Sequence, residues 1–218
     1  MTIETVAEIR DRARRDAQAV LDLYWSERPM PVDPVVIARD LGLSVFSAQL
    51  GDDVFGMLVG SKAGADMYLD KDQAPARFRF TCAHEVGHYV DHTSRLSPEL
   101  SESYVDRRSD DDRGKPDEIY ANEFAGSLLM PAAEMRACIG RGMTDLQMAV
   151  YFDVSLQALR YRKSLLGLNG HNNLQAGVPR LRACAVGQRG GGAGAPRGHS
   201  PRVKGIPPPE TPKAAHPG

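Results

Sequence analysis

Residues 80–88, Phe80-Thr81-Cys82-Ala83-His84-Glu85-Val86-Gly87-His88, form the stretch whose reading decides the fold. Its last five residues have the H-E-x-x-H form, and Cys82, Val86, Tyr89 and Val90 recur so as to make Phe78 to Val90 a partly buried helix. In a helix, positions i and i+4 lie one above the other on the same face. Both imidazoles can therefore reach one Zn²⁺ at about 2.0 to 2.1 Å. Glu85, next to the first histidine, can then hydrogen-bond a water at the metal whose pKa the ion lowers towards roughly 7, and so serve as the general base. The structural alternative is a chance pattern on a core helix. Against it, the chain has only six histidines, and His84, His88 and His92 fall close together.

Two of four ligand positions are thus supplied, and the rest must be found. His92 lies eight residues beyond His84, about 12 Å along an unbroken helix, too far for both to bind one ion. It reads as a helix-end histidine or as a group behind a ligand. A metzincin-type extension needs a glycine three residues and a histidine six residues after His88, where the chain has Asp91 and Ser94. The third ligand must therefore come from another segment. Glu118-Ile119-Tyr120-Ala121-Asn122-Glu123-Phe124-Ala125 reads as a second helix carrying two carboxylates. Glu118 is the first choice, because it shares a face with Ala121, Asn122 and Ala125, whose small side chains allow close helix packing. Its alternative role is that of a helix-start carboxylate favoured by the macrodipole. Glu123, five residues on, stays open as the other candidate. Two histidines, one glutamate and a water make an open, catalytic site holding one zinc per chain, whereas a structural site would be closed by four protein ligands.

Outward from these segments, residues 3–24 place Ile3, Val6, Ala7, Ala13, Ala17, Val20, Leu21 and Tyr24 near a 3.6-residue period, predicting an amphipathic helix within an N-terminal segment 1–30. Asp33 and Pro34 make an N-cap and N1 pair, with Gly42 as the C′ residue, so Val35 to Leu41 reads as a short helix. Leu43 to Phe46, Val54 to Val59 and Met67 to Leu69 read as strands of a small sheet, and a helix resumes near Ala76. Residues 94–117, with Asp110, Asp111 and Asp112 in a row, read as a mobile polar loop, followed by helix over Asp117 to Met130 and another from Pro131 to Gly140. Met143 to Leu168 reads as a helical pair. Beyond about Val178 the Gly, Pro, Arg and Ala content is too poor in apolar residues to fold, so 178–218 reads as a disordered tail.

With 218 residues, 42% of them hydrophobic, the chain can bury a core in one domain, expected over 31–168. A net charge of −1 supplies no sequence-wide attraction to nucleic acid or anionic membranes. Cys82, Cys138 and Cys184 are odd in number and widely spaced, which argues against disulfides and a thiolate zinc site and fits a reducing cytoplasm. Glu4, Glu8, Arg10, Asp11 and Arg12 interrupt any signal-like apolar run, and no stretch approaches the 18 apolar residues of a membrane span.

The segments Phe80 to His88 and Asn122-Glu123-Phe124-Ala125-Gly126-Ser127-Leu128-Leu129-Met130-Pro131, with Pro31-Val32-Asp33-Pro34 and Leu41-Gly42, make the chain resemble the ImmA/IrrE family of zinc metallopeptidases over roughly residues 15–168. The resemblance implies an α+β fold, a small zincin-like metallopeptidase domain with a short sheet packed against the HExxH helix and further C-terminal helices. It also implies gluzincin-like ligation, with His84 and His88 as ligands, Glu85 as catalytic base and Glu118 favoured over Glu123. The implied activity is regulated cytoplasmic cleavage of a helix-turn-helix repressor in bacteria or their mobile elements. The chain departs from the pattern at Tyr120, where many relatives have a second acid, and at Gly126, where alanine is frequent. Residues 1–30 are too short for the DNA-binding helix-turn-helix that many members carry.

A different class of function rests on 143–168. Two helices across Phe152-Asp153-Val154-Ser155, with Arg160, Arg162 and Lys163 on the second, have the outline of a DNA-binding helix-turn-helix. The chain would then be a non-catalytic metal-binding or DNA/repressor-binding regulatory module. The simpler expectation is that Leu146, Met148, Ala149, Val150, Leu156, Leu159 and Leu165 pack this pair onto the peptidase core, and direct DNA binding is not expected. The tail basics Arg189, Arg197, Arg202 and Lys204 are too sparse for a strong patch.

Overall fold

Thr5 opens the first helix with a capping box, its side chain accepting from the Glu8 N–H while the Glu8 carboxylate accepts from the Thr5 backbone. This is α1, Val6–Tyr24, and it buries Ile9, Ala13, Ala17, Val20 and Leu21 at helical spacing. Val6 and Ala7, expected on that face, are exposed, because the capped first turn projects beyond the core. These features come from a computed structural model that describes residues 4–51, 54–61, 64–95 and 114–169. Most of the expected acidic loop and the whole of the expected tail, with Cys184, lie outside the described residues.

Asp33 caps α2, Pro34–Asp40, accepting from the Val35 and Val36 N–H groups, with Pro34 at N1. Gly42 follows at φ 89°, a left-handed conformation that glycine adopts without a Cβ penalty, and turns the chain into the sheet. The sheet comprises β1, Leu43–Ala48, β2, Gly56–Ser61, and β3, Gly64–Asp70, in the order β1-β3-β2. β1 runs parallel to β3, with Val45 opposite Met67, and β2 runs antiparallel to it, with Leu58 opposite Met67. Expected strands and observed ones differ at their ends. Val54 and Phe55 precede β2, and β3 is longer than its apolar centre because alternation places Ala65, Met67 and Leu69 inward and Asp66, Tyr68 and Asp70 outward.

The long helix α3, Pro75–Arg95, packs against α2 and against the inner face of the sheet through Cys82, Ala83 and Val86, all fully buried. Helix α4, Pro116–Leu129, lies between α3 and α1, so the three helices and the sheet close one core that includes Met67, Leu69, Val86, Tyr120, Phe124 and Leu128. The architecture is α+β, zincin-like in having a small sheet against the helix that bears the His84 and His88 pair.

A second apolar cluster lies beneath the last three helices, α5, Ala132–Gly140, α6, Asp145–Phe152, and α7, Leu156–Leu165. Thr144 caps α6, Ser155 caps α7, and Asp153 makes the turn between them at φ 52°. Met148, Ala149, Phe152 and Leu159 are buried there. Leu146 and Val150, expected to pack, are instead 64% and 73% exposed: one turn apart, they share a face of α6 that is turned to solvent.

The helix-turn-helix outline loses two of its three cations to the interior. Arg162 and Lys163 are buried, Arg162 donating to Glu123 and Ser127 and Lys163 donating to Asp145 at 2.6 Å, and Arg160 pairs with the same aspartate at 3.5 Å. Arg162 and Lys163 serve internal ion pairs, whereas the Arg160 side chain stays 65% exposed at the surface. Among the described residues no helix is long and apolar enough to cross a membrane.

Candidate metal centre

His84 and His88 emerge from successive turns of α3 beneath α4, and both are buried, as is Glu85. Their Nε2 atoms stand 2.9 Å apart. Glu118, in the first turn of α4, brings Oε2 to 3.6 Å from His84 Nε2 and Oε1 to 3.3 Å from His88 Nε2. The helix start suits it: Pro116 sits at N1, where its missing N–H costs nothing, and an ionised side chain in the first turn interacts favourably with the macrodipole. Burial by itself would raise the Glu118 pKa, but hydrogen bonds from the two imidazoles and their charge hold it well below the usual carboxylate range.

This donor set suits a divalent cation. Two ligand atoms bonded to a tetrahedral zinc stand about 3.3 Å apart, and the three separations here fall on both sides of that value. Among the described residues, His84, His88 and Glu118 form the group able to hold a metal ion. His92, half-buried further along α3, is outside it.

Glu123 is engaged elsewhere. Five residues from Glu118 is about 140° round a helix, so the two carboxylates leave α4 in different directions. Glu123 accepts from Arg14 Nε at 2.8 Å and from Arg162 Nη1 at 2.5 Å, with Arg10 Nε 4.0 Å away. Asn122, expected on the packing face, is exposed, while Ala121 and Ala125 are buried.

Close approach of the two helices depends on Gly87 as well. A Cβ there would lie 3.1 Å from the Ala121 Cα and 3.1 Å from a ring carbon of Phe124, so the bare glycine lets α4 come down onto α3 beside the histidines. Gly126 carries no such constraint. Its Cβ would meet Arg162 Cδ at an ordinary 3.7 Å, so glycine in place of alanine leaves the helix undisturbed.

Tyr120 donates its hydroxyl to Asp16 Oδ2 at 2.7 Å, and the Arg12 guanidinium lies 4.3 Å from its ring centre. Burial, and the hydrogen bond to Asp16, push the Tyr120 pKa up, so the phenol stays protonated. Arg12 also donates to Asp91, which is buried one turn beyond His88, and to Glu4. One arginine of α1 thus holds both helices that carry the histidines and Glu118. Sequence reasoning missed Arg12, Asp16 and Asp91 in this role, since only the i+3 spacing of Asp91 from His88 pointed to the site.

The family model described as the IrrE N-terminal-like domain, a peptidase family, matches residues 38–164, which include all four residues His84, Glu85, His88 and Glu118. Among solved structures, a Mycobacterium tuberculosis transcriptional regulator is similar at 20% identity with a TM-score of 0.46, over 73% of this chain and 52% of that one. This chain therefore spans about half the length of that regulator. No curated protein matches the chain.

Proposed function

The chain belongs to the peptidase family of IrrE N-terminal-like domains, and from that premise we propose that it is a zinc-dependent endopeptidase whose metal is held by His84, His88 and Glu118 and whose general base is Glu85. The observation that carries this reading is the convergence of His84 Nε2, His88 Nε2 and a Glu118 oxygen within 4.8 Å of one another.

Bound zinc would polarise the scissile carbonyl and acidify an adjacent water. Glu85, fully buried beside His84, accepts the proton of that water and passes it to the departing amide nitrogen. His84, His88 and Glu118 would hold the ion, the carboxylate of Glu118 offsetting part of its charge. Because Glu85 is not a ligand, its two tasks are to orient a water and to move one proton. The chemistry needs no covalent intermediate on the protein.

The substrate we propose is a helix-turn-helix transcriptional repressor, cleaved in a bacterial or mobile-element regulatory circuit. Its support is the family resemblance, which associates this site with regulated proteolysis in the cytoplasm. The test is zinc emission on the purified chain together with cleavage of co-purified or co-encoded repressors. About one zinc per chain, lost in His84→Ala, is expected, with Glu85→Gln keeping zinc and losing cleavage. A Glu85→Gln protein that still cuts would overturn the mechanism.

A further inference from the structure

Glu85 is buried where β2 begins, and the residue facing it there is Gly56. A Cβ placed on Gly56 would collide with Glu85 Oε1 and would come within 2.9 Å of both Glu85 Cδ and Thr81 Cγ2, closer than a carbon can approach. Gly56 does not lie among the positive-φ glycines, so its backbone conformation is open to any residue. What excludes a side chain here is the Glu85 carboxylate, the nearest group, together with the Thr81 methyl.

The strand is also held in place. Thr81, one turn before Glu85, donates its hydroxyl to Gln73 Oε1 at 2.8 Å, and Gln73 Nε2 donates to the carbonyls of Phe55 at 2.9 Å and Asp70 at 3.0 Å. The same Phe55 carbonyl accepts from the Asp70 N–H at 3.0 Å. Helix α3 is thereby tied, through a single amide, to the residue immediately before Gly56. The strand cannot lift to admit a methyl group without breaking that bridge, and Glu85, packed on all sides, cannot retreat without leaving its place beside His84.

We propose that Gly56 is a positioning residue for the general base: the bare Cα of β2, clamped by the Thr81–Gln73–Phe55 bridge, creates the space in which the Glu85 carboxylate is held for proton transfer. The inference rests on Glu85 being the base, and it assigns no metal contact to Gly56. Substitution there should therefore separate zinc binding from turnover.

The experiment compares Gly56→Ala with wild type, and with Gly140→Ala as a glycine control, since a Cβ on Gly140 meets nothing within 4 Å. Three quantities are read: zinc per chain, kcat and KM on the fastest-cleaved member of an internally quenched peptide library, and melting temperature. Gly56→Ala should keep about one zinc, lose on the order of 10²-fold in kcat, as expected of a displaced catalytic group, and change KM little. Melting should fall by roughly 5 °C, and that fall should be clearly smaller in a Glu85→Ala background, where the carboxylate clash is gone and the Thr81 contact remains. Full kcat in Gly56→Ala, or an equal melting penalty with and without Glu85, would overturn the proposal. Should wild type cleave no peptide, the peptidase reading fails, while the melting cycle still decides whether Gly56 makes room for Glu85.

Discussion

Arg162 Nη1 lies 2.5 Å from Glu123 Oε1, and both residues are almost wholly buried, joining α7 to the helix that carries Glu118. Removing Arg162 leaves the buried Glu123 with Arg14 as its remaining close cation and Ser127 without its donor. Arg162→Ala should therefore cost about 1.5–3 kcal/mol of unfolding free energy, the worth of a hydrogen bond to a charged group, measured by urea titration. The paired replacement Arg162→Met with Glu123→Leu should recover most of that loss. A double variant no better than the single one would show that the pair itself stabilises the fold.

The same carboxylate makes stability depend on pH with a definite sign. Burial would raise the Glu123 pKa, but the hydrogen bond from Arg14 and the charge of Arg162 bring it below its ordinary 4.5. Asp145 is held below its ordinary 3.8 by the hydrogen bond from Lys163, and Glu134 below 4.5 by that from Arg141. A lowered folded-state pKa means that the unfolded chain binds more protons, so the stabilisation is complete above the ordinary value and is lost as pH falls through the folded one. Melting temperature should hold from pH 7 to about 5 and drop below that, and the drop should be shallower in Glu123→Gln.

Zinc retention distinguishes the two glutamates. Glu118→Ala should lower zinc affinity severely, since it removes the negative ligand from a three-residue set, whereas folded Glu123→Gln should retain about one zinc per chain. Competition with a chromophoric chelator reads both. Equal retention by the two variants would refute Glu118 as a ligand.

Leu146 and Val150 project from α6 into solvent, so Leu146→Ser and Val150→Ser should each change stability by no more than about 0.5 kcal/mol. Leu159, fully buried in the neighbouring helix, should cost about 2–5 kcal/mol as alanine. Comparable losses at all three would contradict the orientation of α6.

Much of the site could be read without coordinates because it is local. The spacing of His84 and His88 is a helical repeat, the Asp33 and Pro34 cap is a four-residue matter, and the period of α1 follows from which of its residues are apolar. The strands were legible at their apolar centres, and their ends were not, because strand length is set by partners rather than by the strand. The choice between Glu118 and Glu123 depended on more than helical phase, since either carboxylate could have faced α3 until α1 and α7 supplied Arg14 and Arg162.

By itself, the sequence determined a helix with two histidines and a carboxylate in metal-binding register, since these depend on backbone geometry repeating every few residues. Only the tertiary structure decided which glutamate joins them, that Arg162 and Lys163 serve internal ion pairs, that Arg12 spans Asp91 and Tyr120, and that Gly56 stands bare against Glu85. Those relations join residues tens to more than a hundred positions apart, and their energies depend on burial and distance, which no local pattern encodes.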